Sequence, residues 1–200
     1  MSWLQGFRDD RDRATLERVM ERGVFAGLVA SASMGFIAMM ASATYQSRGF
    51  FTPMYHAAFV IDEDTMASSI AKAGAGEPFY FFRETFIFGL IAYVILGGIF
   101  GIAFAAAAKW LQLQGNRAIV AGLAYGLAIM VVMSFAVLPA VANAIGAGDP
   151  ISRMGAEVGW PTFIMQFAIY GLILGSWVYI RPEDIGVPNP RHTAGPAVPS

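Results

Sequence analysis

Only a few residues in this chain have side chains suited to chemistry. His56, Asp62, Glu63 and Asp64 lie within nine positions of one another and are the only cluster with metal-ligand donors in the connection 46–84. A divalent cation needs several such donors converging on one point. One histidine beside consecutive carboxylates fixes no such geometry, so His56, Asp62 and Asp64 are weak metal candidates. The plainer expectation is a solvated acidic turn next to a membrane-facing His56. The chain has no cysteine, which removes thiolate ligands, disulfides and Cys nucleophiles. Its 11 methionines show no repeated Met-x-x-Met stripe suited to Cu(I) and read as flexible packing in an apolar interior. The only other histidine is His192, close to the C-terminus. Haem held between helices would need axial ligands at depth, so no cofactor is implied.

These groups are set among four stretches without Asp, Glu, Lys or Arg: 23–45, 86–108, 118–141 and 161–180. A helix rises about 1.5 Å per residue and the hydrocarbon layer is about 30 Å thick, so each stretch is long enough to cross. Of the 200 residues 56% are hydrophobic and 14% charged, against about 25% charged in an ordinary soluble domain. The expected fold is all-α, an integral membrane four-helix bundle. A net charge of −1 gives no reason to expect a nucleic-acid partner. The bilayer itself is the first partner.

Nine basic residues flank the spans on one side: Arg8, Arg11, Arg13, Arg18, Arg22, Lys109, Arg117, Arg181 and Arg191. Four lie on the other: Arg48, Lys72, Arg83 and Arg153. The positive-inside rule then places both termini in the cytoplasm of a multi-pass inner-membrane protein. Residues 1–22 form a charged cytoplasmic arm, which could lie as an interfacial helix. Residues 23–180 form the four-span domain, with a structured outer loop at 46–84. Asp64 is expected to cap a short helix through Lys72 in that loop. Residues 181–200, rich in proline, should be an extended cytoplasmic tail. Tyr45, Phe50, Phe51, Tyr80, Trp110, Trp160, Trp177 and Tyr179 fall near span ends, where amphipathic rings favour the water–lipid boundary. Pro139 should end or bend the third span, and Pro161 starts the fourth where a missing amide donor costs nothing.

Small residues recur every four positions: Gly23, Gly27, Ser31 and Gly35; Gly97 and Gly101; Gly122 and Gly126; Gly171 and Gly175. Such lines let helix backbones approach closely where no water is available to drive association. Polar groups at membrane depth are limited to residues such as Tyr93, Tyr125, Gln166 and Tyr170. An amide in hydrocarbon needs a partner, and a hydrogen bond to a neighbouring helix is the ordinary solution for Gln166.

The segments Gly49–Ala58, Phe79–Phe81 and Phe88–Phe104 resemble a group of small bacterial four-span integral membrane proteins without an assigned activity. The resemblance implies a small inner-membrane protein and supplies no chemistry. With no acid–base pair in the spans, the expectation is a non-enzymatic accessory or structural protein, joined through its Gly-lined faces to itself or to other membrane subunits. The alternative is a small solute transporter or pore with a polar path near Gln166, Tyr170 and Tyr125.

Overall fold

The computed structural model describes residues 2–59, 62–146 and 149–188, with side chains from Leu16 onward. Every element among them is helical. Four helical stretches are long and apolar enough to cross a membrane: Leu16–Thr44, Arg83–Trp110, Asn116–Ala144 and Trp160–Ile180.

The first helix, α1, runs unbroken over Ser2–Thr44. A separate arm at 1–22 was the expectation, but nothing between the arm and the span interrupts a helix. The segment has no proline, and Leu, Arg, Glu and Met are strong helix formers. Two short outer helices follow, α2 (Thr52–Ala57) and α3 (Glu63–Gly74), before the second span α4 (Arg83–Trp110). Asp62 caps α3, not Asp64: its Oδ1 accepts from the Thr65 amide at 3.1 Å, and Asp62 is extended while Asp64 is already helical.

The third span comprises α5 (Asn116–Val132), a π-helical turn over Met133–Val137, and α6 (Leu138–Ile145). Pro139 therefore neither ends nor breaks the helix. It has no amide to donate back to Phe135, and the wider turn just before it, in which the Leu138 amide reaches the Met133 carbonyl, lets the chain continue past the pyrrolidine ring. Short helices α7 (Asp149–Ser152) and α8 (Met154–Val158) lead to the fourth span α9 (Trp160–Ile180), with Pro161 in its first turn.

The spans pack as two intimate pairs, α1 with α4 and α5 with α9, joined along α1 and α9, while α4 and α5 barely touch. Glycine makes both pairs possible. A Cβ on Gly27 would stand 2.1 Å from the Gly97 carbonyl oxygen, and one on Gly101 2.2 Å from that of Gly23. In the other pair a Cβ on Gly171 would stand 2.1 Å from the Gly122 carbonyl, and one on Gly126 2.2 Å from that of Phe167. A Cβ on Gly175 would stand 2.5 Å from the Ala118 carbonyl oxygen. Gly35 differs, since it faces the side chains of Met54 and Tyr93 instead of a helix backbone.

The tail is not extended where it begins. Pro182–Ile185 forms a 3-10 turn, and Ile185 and Val187, each 1% exposed, join the core formed with Val19, Phe104 and Leu174. Two apolar side chains packed among α1, α4 and α9 supply the burial that the tail's composition by itself could not. Residues 189–200, with His192, lie outside the described residues.

Candidate functional site

Away from most of the close glycine contacts, at the end of the bundle that carries α2, the four spans leave space between them. Side chains from all four spans then enclose a chamber of about 350 Å³. From α1 the wall receives Ser31, Met34, Ala38 and Ser42; from α4, Tyr93, Gly97 and Phe100. The third span contributes Ile129, Met133 and Leu138, so the π turn forms part of the wall. From α9 come Phe163, Gln166, Phe167 and Tyr170. Ser31 to Ser42 is about three helical turns, so the chamber extends for about 16 Å along α1. This volume is in the range of small-molecule sites, which are mostly apolar with a few placed polar groups.

The outer loops form the roof. Thr52 and His56 of α2 reach the chamber, and so do Gln46 and Arg48 just beyond α1. Gln46 Nε2 donates to the Val158 carbonyl at 2.7 Å and Arg48 meets Glu157 at 3.5 Å, so the end of α1 is tied to the loop before α9. Packing fixes α2 itself. A Cβ on Gly89 would lie 2.0 Å from the Met54 carbonyl oxygen, and fully buried Tyr55 donates to the Tyr80 carbonyl and accepts from the Phe82 amide at 2.7 Å. His56, 5% exposed, is thus turned into the protein and not toward lipid.

Asp62 is absent from the wall. Its carboxylate is shared between Thr65 and Thr85, with Thr85 Oγ1 donating at 2.6 Å, and those hydroxyls, Thr65 first, hold its carboxyl below the ordinary Asp value. Asp64 is exposed on α3. The three weak metal candidates therefore have separate surroundings, and among the described residues no three His, Asp or Glu side chains converge.

The hydroxyls around the chamber mostly donate to main-chain carbonyls. Ser31 bonds Leu28, Ser42 bonds Gly49 at 2.8 Å, and Tyr170 Oη bonds Gly97 at 2.9 Å across from α9 to α4. Tyr125, just below, donates to the Phe100 carbonyl at 2.8 Å and supplies one of the few links between α4 and α5. Gln166 differs. It is 3% exposed and lines the chamber, yet its Nε2 has no hydrogen-bond partner. The expected bond from this nitrogen to a neighbouring helix is absent, and the chamber wall that Gln166 shares is mostly apolar, with Met34, Phe100 and Ile129 among its residues. A buried donor left unpaired costs about 1–3 kcal/mol.

Ser31, His56, Tyr93, Gly97, Gln166 and Tyr170, noted in the sequence for different reasons, thus meet around one space. Nothing in the linear chain pointed to the chamber itself or to Met34, Ala38 and Met133 in its wall. A proline two residues past a Ser-Phe-Ala-Val run was the only available hint of an irregular turn there. No protein-family profile, no curated protein and no solved structure matches the chain.

Proposed function

We propose that this is a non-enzymatic, multi-pass inner-membrane protein whose bundle holds a small lipid-soluble molecule. The observation that carries this reading is the chamber between the four spans, apolar over most of its wall and containing one unpaired buried amide donor. A cavity of this kind forfeits packing contacts, and its lining loses dispersion energy unless something fills it. The weak α4–α5 contact leaves a side of the bundle through which a molecule dissolved in the bilayer can enter. The preponderance of Lys and Arg beside one set of span ends supports cytoplasmic termini.

Two other readings receive less support. Docking of further subunits through the Gly-lined faces meets the difficulty that those faces already pack against one another within the chain. A pore past Tyr125 and Tyr170 meets the difficulty that both hydroxyls are already bonded to main-chain carbonyls, those of Phe100 and Gly97, beside the close glycine contacts of the two helix pairs.

The test uses 1-aminoanthracene, a small lipid-soluble fluorophore, with the protein in nanodiscs. Saturable binding is expected, with at least a fivefold loss in Ala38→Trp and in Met133→Trp, each of which fills the chamber from a different wall. Binding that does not saturate, or that survives both substitutions in folded protein, refutes the reading.

A further inference from the structure

The chamber wall carries enough information to name the class of its occupant. Gln166 Nε2 is a donor, so what it lacks is an acceptor oxygen or nitrogen. The ionisable residues at the roof are already engaged, Arg48 with Glu157 and His56 with its own surroundings, so an ionised headgroup would enter a wall with no charge left to pair with it. The chamber wall that holds Gln166 also includes the rings of Phe163, Phe167 and Tyr93, and flat rings pack favourably on such walls. Phe163 and Phe167 already meet edge to face at 5.0 Å, which leaves a ring-lined surface of fixed shape.

We infer that the occupant is a neutral, lipid-soluble ring carrying a carbonyl group, of the quinone or cyclic ketone class, with the carbonyl oxygen accepting from Gln166 Nε2. The inference rests on the chamber reading above and makes it specific. Such a molecule resides in the bilayer and reaches the site between α4 and α5, and its apolar substituent runs along Met34, Ala38 and Leu138. Binding supplies the partner that the fold withholds from Gln166.

Calorimetric titration of the full chain in nanodiscs tests this, with decyl-substituted p-benzoquinone, decylbenzene and decanoate as probes. The quinone should bind roughly tenfold more tightly than decylbenzene, the worth of about one hydrogen bond to a buried donor, and decanoate more weakly than either. Gln166→Leu should remove the tenfold advantage and leave decylbenzene within twofold. Gln166→Met, nearly isosteric and without a donor, should do the same, and both variants should melt no lower than the parent. Equal affinity for quinone and decylbenzene in the parent overturns the carbonyl assignment but leaves the chamber reading standing. A quinone preference that survives both variants overturns Gln166 as the donor. Tightest binding of decanoate overturns a neutral occupant, and binding of no probe overturns both the inference and the reading beneath it.

Discussion

Asp62 shows how one carboxylate can organise a loop. It accepts from the Thr65 amide as the cap of α3 and from Thr85, 23 positions along the chain at the start of α4, and so joins the first turns of the two helices. These bonds favour the ionised form, so its folded-state pKa lies below the ordinary Asp value. The stabilisation is present in full above the unfolded value of about pH 4 and is lost as pH falls through the lowered folded value. Asp62→Asn keeps an oxygen for the cap but no titrating charge. Thermal unfolding between about pH 6 and pH 3 should therefore fall more steeply in the parent than in Asp62→Asn; parallel profiles would remove the carboxylate from this role. Sequence alone could not choose between Asp62 and Asp64, because both precede a helical run and only Thr85, far along the chain, makes the first the better choice.

For the elements, contact between helix backbones decides stability. At Gly27 an added methyl would strike the Gly97 carbonyl at 2.1 Å, whereas at Gly98 the nearest side-chain atom, from Val24, is 3.9 Å away. Gly27→Ala should force α1 and α4 apart and cost roughly 1–3 kcal/mol, while Gly98→Ala should be neutral or gain up to about 1 kcal/mol from helix propensity. Unfolding by SDS titration from a mild detergent separates the two, and equal stability of the variants would contradict the close crossing. The four-residue spacing was legible from sequence because a helix repeats every 3.6 residues. The pairing was not: every span offered a small-residue line, and nothing local to a span says which other line it meets. The π turn is another tertiary outcome, since Pro139 requires only that one backbone bond be forgone and leaves open whether the helix stops or widens.

Over the whole molecule, four helices are long and apolar enough to cross a membrane, and the proposed orientation has both termini in the cytoplasm. Because the chain has no cysteine, single replacements report the sidedness directly. In intact cells a membrane-impermeant maleimide should label Ser68→Cys, on the exposed face of α3, and leave Asn116→Cys, at the start of α5, unlabelled until the cells are opened. The reverse pattern would invert the proposed orientation. The same arrangement explains why the chamber lies where it does. Most of the close glycine contacts lie away from the chamber, and at the chamber's end α2, α7 and α8 contribute to its lining.

The linear chain determined that this protein is helical and suited to a bilayer, because uncharged length and charge placement are properties of each segment taken alone. It also marked Gln166 as a costly group, since an amide at that depth is costly whatever surrounds it. Only the tertiary structure decided that the amide nitrogen would remain unpaired. That outcome depends on which faces of α1, α4, α5 and α9 come together, and on the gap left between them.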